Sequence, residues 1–98
     1  MTIDKIADGS KLEVHVSGRL DTMTAPELEK QLKESLQGVK ELILNFDGLE
    51  YISSAGLRVV LGAQKTMNAQ GKMIVKNLSA EVRDVFDITG FTDILTIE

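Results

Sequence analysis

Two adjacent serines, Ser53 and Ser54, stand between an apolar run and a helical pattern, which is where a hydroxyl can do chemistry. The run from Leu42 to Phe46 predicts a strand buried on both faces. After the serines, four residues follow the i, i+3, i+4, i+7 spacing of a helix whose inner face is apolar: Leu57, Val60, Leu61 and Gln64. The first N–H groups of a helix lack internal partners, so a serine there can cap the helix, and a phosphate there would meet free donors and the positive end of the helix dipole. The pair is therefore a candidate either for helix capping alone or for a regulatory role.

The sequence lacks the residues that would make either serine a catalytic nucleophile. A nucleophilic serine needs a base, and the only histidine, His15, lies on the solvent face of a predicted strand. Neither a G-x-S-x-G elbow nor a Ser-x-x-Lys pair surrounds Ser53 or Ser54, and phosphate-binding glycine loops are missing from the sequence. We therefore predict a protein that is not an enzyme and has no cofactor.

Three acids, Asp21, Asp47 and Glu50, follow predicted strands and could gather at one edge of a sheet. A magnesium site with an acceptor aspartate is conceivable from such a set. Acids at turn positions more commonly cap or solvate the turn, so no metal site is predicted.

The composition points to a protein partner. The chain has 98 residues, no cysteine and a formal net charge of −4. Its lysines and arginines are scattered among acids and its aromatic residues are few, which argues against direct binding of nucleic acid. The sequence has neither a membrane-spanning run nor a signal peptide, so we expect no membrane contact and a cytoplasmic location.

The first half of the chain reads as a hairpin followed by a helix. Alternation from Leu12 to Val16 predicts a half-buried strand, and the Asp8-Gly9 turn predicts an antiparallel edge partner over Ile3 to Ala7. Thr24 and Glu27 form a capping-box pattern that predicts a helix to about Gln37, which stops at Gly38.

The second half alternates strands and helices. A central strand leads through the serines into a helix that ends near Gln70, and a strand over Met73 to Val75 follows. Ser79 caps a third helix that ends at Gly90, and Ile94 to Ile97 predicts a last strand. The order β-β-α-β-α-β-α-β predicts one α/β domain over residues 1–98, with a mixed, mostly parallel sheet.

Four segments resemble the STAS-domain family of bacterial anti-sigma factor antagonists, in the order and spacing of that family. They are G-R-L-D (Gly18–Asp21), T-A-P-E (Thr24–Glu27), L-I-L-N-F-D-G-L-E-Y-I-S-S-A-G-L (Leu42–Leu57) and V-F-D-I-T-G-F (Val85–Phe91). The third segment is the most specific. The resemblance runs nearly from end to end and implies a single STAS domain.

The resemblance also implies which serine is modified. In the family, the phosphoacceptor lies two residues before the glycine of the strand–helix turn; here that glycine is Gly56 and the acceptor is Ser54, with Ser53 as the alternative. Many members have Asp where this chain has Ser53, and Ser where it has Ala55. The family also places an aspartate, here Asp21, next to the modified serine.

The family implies a binding protein that switches partners. Unphosphorylated, such a domain binds an anti-sigma factor that is itself a serine kinase and so releases a sigma factor. Phosphorylation by that kinase ends binding, and a phosphatase of the PP2C type restores it. Two alternatives stay open: a STAS scaffold that is never phosphorylated, and a module that binds a small ligand at the helix N-terminus.

The partner-binding surface should form where parallel strands end, because partners of open α/β sheets meet the carboxyl ends of strands. A glycine in the first turn of a helix, such as Gly56, is disfavoured relative to alanine and indicates close approach of a partner or a neighbouring loop. We predict that the surface consists of Asp21, Thr22, Ser53, Ser54, Gly56 and Arg58.

Overall fold

A computed structural model describes residues Met1–Glu98 as five strands, three helices and a short 3-10 turn. The elements are β1 (Thr2–Asp8), β2 (Lys11–Leu20), α1 (Ala25–Ser35), β3 (Glu41–Asn45), β4 (Leu49–Ile52), α2 (Ser54–Gln70), β5 (Lys72–Lys76), α3 (Ala80–Ile88) and the 3-10 turn Phe91–Asp93.

The sheet is mixed and mostly parallel, as the sequence predicts. Its main path runs β1-β2-β3-β5, with β1 antiparallel to β2 at the edge and the other pairs parallel. The fourth strand, β4, leaves this path and pairs parallel with the far end of β2, where Leu20 lies opposite Ile52. Strand β2 therefore holds β3 at its start and β4 at its end.

One hydrophobic core lies between the sheet and the helices. Leu12, Val14 and Val16 of β2 are buried in it together with Leu28 and Leu32 of α1. Burying each such side chain contributes roughly 1.5–3 kcal/mol, so this core is the main source of stability in a chain without disulfides. The core fixes the ends of β2, β4 and α2 relative to one another.

The element order differs from the sequence prediction in the segment before α2. The chain forms the short strand β4 there, whereas a turn was expected. Its four residues are buried only at the two ends, Leu49 and Ile52, and exposed between them. That i, i+3 spacing is closer to the period of a helix than to the alternation of a strand, which is why the pattern did not predict β4.

The predicted last strand is reduced to a single bridge. Val75 donates a backbone hydrogen bond to Thr96 and accepts one from Glu98, and Ile97 is the only residue of this last segment that pairs with β5. The preceding residues form the 3-10 turn instead, and Ile94 is 54% exposed. Three apolar residues at the end of the chain look like a strand in sequence, but only Leu95 among them is buried.

Candidate functional site

The junction between β4 and α2 uses the hydroxyl of Ser53 as a helix cap. The Ser53 amide donates to the Leu20 carbonyl (2.9 Å) and so extends the pairing of β2 with β4 by one residue. Its backbone is extended, which lets the Oγ atom accept a hydrogen bond from the amide of Gly56 (3.4 Å). Ser53 is therefore the N-cap of α2, as is common for serine at this position.

Ser54 is the first residue of α2 and differs from Ser53 in its surroundings. Its side chain is exposed, and its hydroxyl makes no hydrogen bond within the chain. It lies beside N–H groups that have no partner inside the helix. The two serines thus divide their roles: the Ser53 hydroxyl is engaged in the fold, and the Ser54 hydroxyl is free.

Gly56 is buried, which corrects the prediction that it forms part of a binding surface. A Cβ atom at Gly56 would lie 2.8 Å from Cγ of Leu20, 2.8 Å from Cγ1 of Ile52 and 3.0 Å from the Leu20 carbonyl oxygen. The close approach that the sequence indicates is therefore made by β2 and β4 and leaves no face for a partner. Gly56 lets the first turn of α2 pack directly on the ends of these strands.

The turn after β2 is held by the carboxylate of Asp21. Its Oδ1 atom accepts hydrogen bonds from the amides of Met23 (3.0 Å) and Thr24 (3.1 Å). The Arg19 guanidinium lies 3.7 Å from Oδ2. Desolvation raises the pKa of Asp21, but the hydrogen bonds from Thr24 and Met23 and the charge of Arg19 outweigh it and lower that pKa below its usual value. Asp21 therefore acts as a rigid, ionised anchor of the turn.

The predicted capping box of α1 does not form. The backbone of Thr24 is already helical, so its hydroxyl instead donates to the Arg19 carbonyl (2.8 Å) and accepts from the Asp21 amide (2.9 Å). Glu27 accepts from the side chain of Gln31 (3.0 Å) and does not reach back to Thr24. The Asp21 carboxylate instead accepts hydrogen bonds from the amides of Met23 and Thr24 in front of the helix.

The structure brings the surface members of the predicted set to one edge. Because Leu20 pairs with Ile52, the turn at Asp21 lies next to the start of α2. Thr22 and Arg58 line a common cleft between α1 and α2. Asp21 is half-buried, whereas Thr22, Ser54 and Arg58 are exposed. The carboxyl ends of two parallel strands thus present a hydroxyl, an anchored carboxylate and a guanidinium.

Sequence reasoning missed three residues beside this edge. Met23 projects from the Asp21 turn with 87% of its surface exposed. Arg19 stacks 4.2 Å above the ring of Tyr51, a half-exposed residue of β4. The sequence signal for Met23 was an apolar residue within a polar turn. The stacking of Arg19 on Tyr51 could be recognised only once β4 was known.

A groove between α1 and α2 continues from this edge. It has a volume of about 350 Å³ and an apolar floor formed by Leu32, Leu36, Val59 and Ala63. Glu29 and Val59 line both this groove and the cleft that contains Thr22 and Arg58. The two depressions therefore form one surface feature.

Other polar groups lie apart from this edge. Glu13 and His15 are on the sheet face opposite Val14 and Val16, where the Glu13 carboxylate accepts from Asn45 (3.1 Å). That hydrogen bond is the main cause that lowers the pKa of Glu13, against the opposing effect of desolvation. Glu13 and His15 therefore belong to that face of the sheet and not to the junction between β4 and α2 that carries Ser53 and Ser54.

Two predicted absences concern metals and membranes. The acids Asp21, Asp47 and Glu50 do not assemble, since the structure contains no group of three metal-ligating side chains close enough to hold an ion. Each helix is too short or too polar to span a bilayer.

Comparisons with known proteins identify similar sequences and folds. The STAS domain family matches residues 2–98. The protein BtrV of Bordetella bronchiseptica, which carries the name of an anti-sigma factor antagonist, is 37% identical over 99% of this chain and 84% of its own length. The anti-sigma-B factor antagonist of Staphylococcus aureus is 30% identical over 99% of this chain and 92% of its own.

Solved structures share the fold. The anti-sigma factor antagonist SpoIIAA is known in unphosphorylated form and, from Bacillus, in phosphorylated form, and each superposes with a TM-score of 0.77 over 99% of this chain. These matches cover 87% and 91% of the two SpoIIAA chains, at 21% and 23% sequence identity. The likeness at this identity is one of fold.

Proposed function

We propose that this chain, which belongs to the STAS domain family and within it to the anti-sigma factor antagonists, is a binding protein controlled by phosphorylation. Unphosphorylated, it binds an anti-sigma factor that is a serine kinase and thereby frees a sigma factor. It acts in the bacterial cytoplasm, needs no cofactor and catalyses no reaction itself.

The free hydroxyl of Ser54 is the observation that carries this proposal. Ser53 already accepts the Gly56 amide, whereas Ser54 is exposed and unbonded at the start of α2. In the modification, the kinase transfers the γ-phosphoryl group of ATP to Oγ of Ser54. The bond to the β-phosphate breaks, ADP leaves and the hydroxyl proton is released. Ser53 is the alternative acceptor, at the expense of its capping hydrogen bond.

The position of Ser54 allows the switch to act on binding without unfolding the domain. A phosphate adds about 1.5–2 negative charges at neutral pH, and the start of a helix favours negative charge. The same charge within a protein interface is costly to desolvate unless the partner offers cations. The half-buried Asp21 and the exposed Thr22 and Arg58 around it form the proposed binding surface together with Ser53. A PP2C-type phosphatase removes the phosphate and restores binding.

Phosphorylation with the cognate kinase and ATP, followed by mass-spectrometric mapping of the modified peptide, tests this proposal. Ser54→Ala should abolish incorporation, while Ser53→Ala, the matched control one residue away, should only slow it. Full incorporation into Ser54→Ala would move the acceptor to Ser53. No incorporation into the unaltered protein would leave the scaffold or ligand-binding alternative.

A further inference from the structure

Arg58 is a cation without a partner, one helical turn after Ser54. It is exposed and forms no ion pair within the chain, whereas Arg19 faces Asp21 at 3.7 Å and Lys33 faces Glu29 at 3.7 Å. Glu29, which lines the same cleft as Arg58, and Asp21, which precedes Thr22 in that cleft, are thus already paired with other cations. The guanidinium of Arg58 is left available.

Helix geometry places Arg58 on the same face of α2 as Ser54. Residues four apart lie on the same face of a helix, and side chains lean towards its N-terminus, so the side chain of Arg58 can reach the turn that begins at Ser54. An acidic group four residues before a basic one is the favourable order for such a pair. Arg58 also lines the cleft that contains Thr22 and Ala55, the residue after the acceptor, so it borders the proposed binding surface.

We propose that Arg58 is the intramolecular counter-ion of a phosphate on Ser54. This inference rests on the proposed function, because it presumes that Ser54 is the residue modified. A guanidinium presents paired N–H donors that match two phosphate oxygens, so the pair is joined by charge-assisted hydrogen bonds.

The pair makes Arg58 part of the switch. In the unphosphorylated protein, the free guanidinium is available to an acidic group of the kinase partner. In the phosphorylated protein, the phosphate engages the same guanidinium. Phosphorylation thereby places an anion on the surface and removes a cation from it in one step.

The ionisation of the phosphate reports on this pair directly. Phosphoserine is installed at position 54 during translation, and its second ionisation is followed by phosphorus NMR as the pH is varied. Arg58→Gln should raise the pKa of the phosphate by roughly 0.5 unit, as expected for loss of a charge-assisted neighbour on a helix surface. Arg58→Lys should give an intermediate value, since it keeps the charge and loses the paired donors.

Lys65→Gln is the matched control, because it removes the same charge from an exposed, unpaired residue of α2. Lys65 lies roughly 16 Å further along the helix axis than Ser54, beyond the screening length of about 10 Å at 0.1 M salt. The control should leave the pKa of the phosphate unchanged. Equal titration of Arg58→Gln and the unaltered phosphoprotein, with both folded by circular dichroism, would overturn the inference.

The experiment separates this inference from the proposed function. Because the phosphoserine is installed without the kinase, failure of the kinase to modify Ser54 counts against the proposed function alone. A phosphate pKa that does not change in Arg58→Gln counts against the counter-ion pair and leaves Ser54 as the proposed acceptor.

Discussion

The amide of Ser53 donates a hydrogen bond to the carbonyl oxygen of Leu20 at 2.9 Å. This contact extends the pairing of β2 with β4 by one residue, so the turn that carries Asp21 lies beside the start of α2. The surface proposed for partner binding depends on this relationship, because its residues come from chain segments about thirty positions apart.

The unequal roles of the two serines predict unequal stabilities of their variants. Ser53→Ala removes the hydroxyl that caps α2 and should lower the free energy of unfolding by about 0.5–1 kcal/mol, the lower part of the range for N-caps because the bond is long. Ser54→Ala removes an unbonded, exposed hydroxyl and should change it by less than about 0.5 kcal/mol. Urea unfolding of both variants measures the difference. A larger loss for Ser54→Ala would reverse the assignment of the cap.

Substitution by alanine at two glycines of α2, Gly56 and Gly62, should have opposite effects on the stability of the fold. Gly56→Ala places a Cβ 2.8 Å from the side chains of Leu20 and Ile52 and should destabilise the fold by about 1–3 kcal/mol, as overpacking does. A Cβ atom at Gly62 would meet no atom of another structural element within 4 Å, so Gly62→Ala should stabilise the helix by up to ~1 kcal/mol. Thermal unfolding of the two variants decides. A neutral Gly56→Ala would contradict the close packing described.

The lowered pKa of Asp21 predicts a stability contribution that depends on pH. Its carboxylate is ionised more readily in the folded chain than in the unfolded one, so its contribution is present at neutral pH and is lost as the pH falls through the folded pKa, below the usual 3.8. Asp21→Asn should lower the urea midpoint at pH 7, and the difference from the unaltered protein should shrink on acidification. Asp84→Asn, at an exposed acid of α3 without hydrogen bonds, should show no such difference. A pH-independent effect of Asp21→Asn would contradict the electrostatic origin.

The exposure of Met23 predicts a role in binding and none in stability. With 87% of its surface exposed on an anchored turn, Met23→Ala should leave the free energy of unfolding within about 0.5 kcal/mol. If the partner covers this edge, the affinity for the kinase should fall by about 1–2 kcal/mol through lost apolar contact. Ile88→Ala, at an equally exposed residue of α3 (85%), is the control and should bind normally. Calorimetric titration with the kinase distinguishes the two variants.

The sequence predicted the parts of this site that depend on periodicity and on family motifs. Strand β2, helix α2 and the capped start of α2 follow from apolar spacing and from serine at a helix start. The neighbours of Gly56 depend on contacts between β2 and β4, which are distant in sequence. The anchor role of Asp21 rests on local hydrogen bonds from Met23 and Thr24, which the capping-box pattern did not predict. Because β4 lacks the alternation of a strand, its packing against Gly56 and the stacking of Arg19 on Tyr51 could not be predicted.

The affinity of the protein for its kinase partner, with and without phosphate on Ser54, tests the central claim most directly. The phosphate adds about 1.5–2 negative charges to the interface, more than the single positive charge of Arg58 offsets, so phosphorylated protein should bind at least ~30-fold more weakly, which corresponds to about 2 kcal/mol. Ser54→Asp should weaken binding in the same direction, and Glu13→Ala, on the opposite face of the sheet, should not. Equal affinity of the phosphorylated and unphosphorylated proteins would contradict the phosphorylation switch.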